Sequence, residues 1–234
     1  MRKWTLCLLT AFCMALISAT ASAQTTYTWN QTGTASWATS TNWTPTRTTP
    51  ATNDILVFNN GATTTVTSIP TQTIGKLQVS GNTAVTLQPA ATATTLTVSG
   101  GASSLSVASG SQLNISGTNT LTINLPTGSN GTVGGSMTFT NAAHKLTAAD
   151  ASAITFQSAA TFTAGTGFSS NPFGTTNLNS IVFASGSTYV YIAGSNPFGA
   201  SGQTRSSYSK RAAFLASKAA RRLLFRDAPM PISR

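Results

Sequence analysis

Acidic side chains are almost missing from this chain of 234 residues. Asp54, Asp150 and Asp227 are its only carboxylates, Glu does not occur, and His144 is its one histidine. General acid–base catalysis and metal binding both require several such groups held together, so either chemistry has very little material here. Cysteine is scarce too: Cys7 and Cys13 are the only two, and both lie near the start of the chain. Beyond Cys13 no disulfide can form, and stability has to come from packing and backbone ladders. What the chain has in abundance is Thr, Ser, Gly, Ala and Asn, with Thr alone close to a fifth of the residues.

The first residues read as an export signal. Arg2 and Lys3 give a short positive region, and Trp4 to Ile17 is an apolar stretch too short to span a bilayer. Ala21-Ser22-Ala23 then places small residues as a cleavage site needs them, so cleavage is expected after Ala23, with 1–23 the signal peptide and Gln24 the first mature residue. Phe12 before Cys13 is too bulky for a lipoprotein signal. The expected location is secreted, extracellular or at a bacterial cell surface.

The formal charge of +10 is unevenly placed. Between Gln24 and Thr204, Arg47, Lys76 and Lys145 face Asp54 and Asp150. From Arg205 onward, Arg205, Lys210, Arg211, Lys218, Arg221, Arg222, Arg226 and Arg234 face only Asp227. A near-neutral body (24–204) therefore precedes a cationic tail (205–234), and composition alone draws the boundary. No nucleic-acid partner is expected.

Within the body, apolar residues alternate with Thr, Ser or Gln in short runs. Examples are Lys76-Leu77-Gln78-Val79, Ala84-Val85-Thr86-Leu87, Gln112-Leu113-Asn114-Ile115, Ile154-Thr155-Phe156 and Tyr189-Val190-Tyr191-Ile192. Alternation of period two is the mark of half-buried strands. Gly and Asn punctuate them at Asn59-Asn60-Gly61, Ser80-Gly81-Asn82, Gly100-Gly101, Asn130-Gly131 and Gly134-Gly135, as tight turns require. No helical period occurs from Gln24 to Thr204.

Strands at this spacing fit either a sandwich or a solenoid. The solenoid is favoured by mostly small to medium inward residues, by regular spacing without long cross-connections, and by an internal repeat. In that repeat Phe168-Ser-Ser-Asn171-Pro172-Phe173-Gly174 returns as Ala193-Gly-Ser-Asn196-Pro197-Phe198-Gly199. Roughly seven or eight coils stacked at about 4.8 Å are expected. The fold class is thus all-β: a parallel β-helix followed by a short basic tail.

Trp29-Asn-Gln-Thr-Gly33-Thr-Ala-Ser-Trp37, Asn42-Trp43-Thr-Pro45 and Thr49-Pro50-Ala-Thr-Asn53-Asp54-Ile55-Leu56-Val57-Phe58 resemble the opening of secreted bacterial β-helix proteins. Leu113-Asn-Ile-Ser-Gly117, Ser185-Gly-Ser-Thr-Tyr189 and the Asn-Pro-Phe-Gly turns are similar to repeats of large Bacteroidetes surface proteins exported by type IX secretion. They also resemble autotransporter-associated β-strand repeats. The resemblance covers residues 27–200 and implies an extracellular, right-handed parallel β-helix that acts as stalk or adhesin without catalysis. Such chains continue into more coils and a sorting domain, so truncation is expected here.

The tail breaks with the body's composition. Drawn as a helix, Ala212, Ala216, Ala219, Ala220, Leu223 and Leu224 share one face and Lys210, Arg211, Lys218, Arg221 and Arg222 the other, while Phe214, Leu215 and Phe225 spoil the separation. One reading is a segment that contacts an anionic membrane or polymer. The other, preferred, is the out-of-frame end of a truncated gene.

Chemistry-bearing candidates are few. Trp29, Trp37 and Trp43 can form either a cap over the first coil or a platform that stacks on sugar rings. His144 and Asp150 lack a third partner for a triad or metal site. Gly131-Thr-Val-Gly134-Gly135 is no phosphate loop, because neither a helix nor a Lys follows it. The sequons at Asn30, Asn42, Asn114 and Asn130 are no more than so Thr- and Ser-rich a chain produces by chance. Polysaccharide lyases share the β-helix scaffold but rely on clusters of charged residues. No catalytic residue, metal or cofactor is expected. The expected role is a non-enzymatic structural or adhesive module whose partners are surface glycans or other cell-surface proteins; the alternative is a carbohydrate-binding or carbohydrate-cleaving module.

Overall fold

A computed structural model describes residues 24–177, 179–195 and 197, and the backbone of 212–217 and 220–225. The proposed signal peptide, its cleavage site and most of the second Asn-Pro-Phe-Gly turn lie outside the described residues. The chain opens with β1 (Thr26–Trp29), β2 (Gly33–Ser36) and β3 (Trp43–Thr44), with a 3-10 turn at Ser40–Asn42. The coils follow as β4 (Ile55–Phe58), β5 (Thr63–Ile69), β6 (Gln72–Ile74), β7 (Lys76–Val79), β8 (Ala84–Pro89) and β9 (Thr94–Val98). They continue with β10 (Leu105–Val107), β11 (Gln112–Ile115), β12 (Leu121–Leu125), β13 (Gly131–Val133), β14 (Ser136–Phe139) and β15 (Lys145–Ala148). The last are β16 (Ile154–Phe156), β17 (Thr161–Ala164), β18 (Ile181–Phe183) and β19 (Thr188–Tyr191), then β20 (Ala212–Ser217) and β21 (Ala220–Phe225).

Each strand pairs with the strand one coil away, so three sheets run along one axis. Sheet A stacks β1, β4, β7, β10, β13, β16 and β18, and sheet B stacks β2, β5, β8, β11, β14, β17 and β19, all in parallel. Sheet C contains β6, β9, β12 and β15. The arrangement is a parallel β-solenoid of about six turns. The expected solenoid is present with fewer turns than composition suggested. Register partners are spaced unevenly, as with Leu56, Leu77, Leu105 and Gly131, and residues 24–54 build an opening structure rather than a complete coil.

Alternation explains the interior. Leu56, Leu77, Leu105, Val85, Leu87, Leu113, Ile115, Leu96 and Ile123 point inward and are fully buried, while the Thr, Ser, Gln and Asn between them face out. Stacked coils bury a continuous core that no single coil could, at roughly 25 cal/mol per Å² of apolar surface. Toward the end of the solenoid the inward side chains grow. Phe156 stacks on its register partner Phe183 with ring centroids 4.5 Å apart, and Phe162 on Tyr189 at 5.4 Å. The repeat also corresponds to one coil there, because Ser195 N–H donates to the Ser170 carbonyl at 3.0 Å.

Two expectations need correction. Gly131 has the sequence context of turn punctuation, but it is a strand residue of β13, in register between Leu105 and Ile154. A Cβ there would lie 2.6 Å from the Leu105 carbonyl oxygen, so only glycine lets the two strands approach without a shift. The tail, drawn above as a helix, places β20 and β21 in an antiparallel hairpin, with β21 antiparallel to β19. The edge of β19 offers unpaired N–H and C=O groups, and an added strand satisfies them where a helix would not.

Candidate functional site

Residues 26–54 form the most specifically built part of the molecule. Trp43 lies at its centre: its ring is 4.9 Å from Trp29, 5.1 Å from Trp37 and 5.6 Å from Phe58, each in an edge-to-face arrangement. Such geometry sets the positive edge of one ring against the negative face of the next. All three tryptophans are buried, at 1–2 % exposure. Trp29 Nε1 donates to Thr64 Oγ1 at 3.0 Å and Trp43 Nε1 to the Trp37 carbonyl at 3.1 Å; Trp37 Nε1 has no partner. β3 pairs antiparallel with β1, Trp43 opposite Trp29, and so covers the outer edge of sheet A. Trp37 N–H donates to the Thr67 carbonyl at 2.9 Å and ties the loop to sheet B.

A buried ion pair closes the same region. Arg47 Nε donates to Asp54 Oδ2 at 2.8 Å; Nη2 is also 2.8 Å from that oxygen, near enough for Coulomb attraction but without hydrogen-bond geometry. The same Oδ2 accepts the Ala51 N–H at 2.9 Å. The guanidinium lies 5.7–5.9 Å from the ring centres of Tyr27, Trp37 and Trp43, within cation–π range. One of the three carboxylates thus fastens the loop that carries the tryptophans onto the first coil. The alternation rule missed this pair, because Arg47 and Asp54 lie in stretches with no strand period.

The other candidates are dispersed. His144 is fully buried in the middle of the solenoid. Its Nδ1 accepts the Leu121 N–H at 3.0 Å, which fixes the tautomer and leaves Nε2–H to donate to the Thr140 carbonyl at 3.0 Å. The imidazole stands at the start of the ladder joining β12 to β15, whose first pair is Thr122 with Lys145. Burial lowers its pKa to about 4, against the opposing pull of the Thr140 bond. Asp150 accepts the Gly128 N–H in a surface turn and does not meet His144's ring. Among the described residues, no three His, Cys, Asp or Glu side chains converge as metal ligands would, and no helix is long and apolar enough to cross a membrane.

The geometry therefore offers a closed aromatic end and a coat of hydroxyl side chains. No match was found to any family model, curated protein or solved structure.

Proposed function

We propose that this chain is a non-enzymatic extracellular β-solenoid that serves as a structural or adhesive part of a bacterial cell-surface protein. The observation that carries this reading is the employment of its rare ionisable groups. Asp54, His144 and Asp150 each accept a hydrogen bond from the fold's own backbone, in three separate places. Groups dispersed in this way do not converge on one substrate atom or one metal ion among the described residues. The apolar run before Ala23 and the resemblance to exported β-helix proteins support export.

Trp29, Trp37 and Trp43 act in this reading as an end cap. The burial of all three and the indole hydrogen bonds of Trp29 and Trp43 support it over a sugar platform, which needs an open ring face. Purified chain carrying Trp43→Ala, compared with the unsubstituted chain by thermal melting, sedimentation and glycan-array binding, tests it. Lower stability with self-association through the uncovered coil is expected. An unchanged melting temperature with lost glycan binding would replace the cap by a ligand platform. Sequencing the N-terminus of exported protein should return Gln24, and a start at Met1 in the cytoplasm would remove the export reading.

A further inference from the structure

Sheets B and C both carry Thr-rich columns on their outer faces, and the column of sheet B is the longer, since that of sheet C comprises Thr73, Thr97, Asn124 and Thr147. The register of sheet B aligns Thr34, Thr65, Thr86, Asn114, Thr138 and Thr163 in one column, each directly against the next. A second column, two residues back along each strand, runs beside it from Thr63 to Thr161 through Ala84, Gln112 and Ser136. The hydroxyls bound within this sheet belong to Thr64, at an inward position, and to Thr67, at the bulge. Among the described residues, no protein partner engages the hydroxyls of Thr65, Thr86, Thr138 or Thr163.

Three physical consequences follow. Thr is stiff about χ1, so each hydroxyl and methyl is held in place before any partner arrives. Parallel pairing repeats the positions every ~4.8 Å along the axis, and alternate residues of a strand repeat them every ~6.6 Å across it. Between Thr34 and Thr163 these columns contain no charged side chain, the first charged residue in register being Arg222 of β21 beyond Val190, whereas sheet A carries Lys76 and sheet C Lys145 within the coils. Electrostatic complementarity then calls for an uncharged partner. A sugar polymer would be expected to meet aromatic rings, and these columns have none.

We propose that the outer face of sheet B binds ice. The surface of hexagonal ice is an uncharged lattice of water oxygens with two repeat distances close to those of this array. Each Thr hydroxyl can donate to and accept from such an oxygen, while its methyl occupies the space between them. Sheet A cannot do the same, since three-residue strands such as β10 and β13 present a single outward position, Ser106 and Thr132.

The test is growth of ice crystals in an annealed frozen solution of the purified chain. The unsubstituted chain should hold crystals small. The double variant Thr86→Lys with Thr138→Lys should lose that inhibition, while Thr132→Lys on sheet A should retain it. Far-UV circular dichroism checks that each variant folds. Should the lysines prevent folding, Thr86→Ser with Thr138→Ser removes only the methyls and should weaken inhibition. Crystal growth equal to that in an inert protein overturns the proposal, as does equal loss in the sheet A and sheet B variants. Adsorption to crystalline cellulose without any effect on ice also overturns it and assigns the face to a polysaccharide.

Discussion

Residues 24–54 and the coils from Ile55 to Tyr191 meet the same requirement by different means. A coil inside the solenoid has a neighbour on each side, so aliphatic residues such as Leu77, Leu105 and Leu113 are covered by repetition. Ahead of the first coil the described residues place only β1, β2 and β3, which do not make up a complete coil. Three of the four tryptophans lie in 24–54, together with the buried Arg47–Asp54 pair and indole hydrogen bonds that occur once each. Repetition stabilises through many equivalent contacts and tolerates variation. An end requires a few large, specific ones, and its failures should be correspondingly severe.

The sharpest way to break this comparison is to remove the ring at the centre of the end. Trp43→Ala should cost about 3–5 kcal/mol in chemical denaturation, the usual range for truncating a buried Trp. A cost below that of Leu113→Ala, measured alike, would mean that the end is no more specific than the coils. Asp54→Ala comes next, because it leaves a buried guanidinium uncompensated and frees the Ala51 N–H; breaking a buried pair from one side costs about 3–5 kcal/mol. If Asp54→Ala proves neutral, the pair is only a consequence of the aromatic packing.

A smaller effect is expected inside the coils at His144. His144→Ala leaves the Leu121 N–H and the Thr140 carbonyl without partners, at about 1–3 kcal/mol. The histidine also predicts a pH dependence. Its pKa is lowered from 6.5 to about 4 in the fold, so the folded state favours the neutral ring and unfolding takes up a proton between these values. This contribution is complete above pH 6.5 and disappears as pH falls toward 4. Denaturation curves across that window should flatten in His144→Ala, and an unaltered slope would refute the assignment. The smallest effect belongs to the coat: Thr155→Val, outward on sheet A, should stay within about 0.5 kcal/mol of the unsubstituted chain.

Legibility in the sequence follows the same division. The runs at Ile55, Lys76, Ala84, Gln112 and Ile154 coincide with β4, β7, β8, β11 and β16, since period-two alternation is a local signal. β2 (Gly-Thr-Ala-Ser) gives too little apolar contrast and β6 (Gln-Thr-Ile) is too short to show a period, whereas β1 (Thr-Tyr-Thr-Trp) alternates as clearly as any strand of the coils. β13 is not legible in the sequence because glycine has a turn meaning and a strand meaning, and only the distance to Leu105 decides between them. The tail hairpin depends on pairing with β19, which no local pattern reveals.

Composition and alternation determined by themselves that this protein is all-β, poor in acid–base material and built of stacked short strands. Those properties follow from side-chain type and spacing along the chain. Tertiary structure alone decided that Arg47 meets Asp54 beneath the tryptophans, that His144 caps a ladder instead of pairing with Asp150, and that Thr residues from separate coils share one column. Register joins residues 21 to 31 positions apart (Thr65 with Thr86, Thr34 with Thr65), and it is set by how coil lengths fit the packed interior.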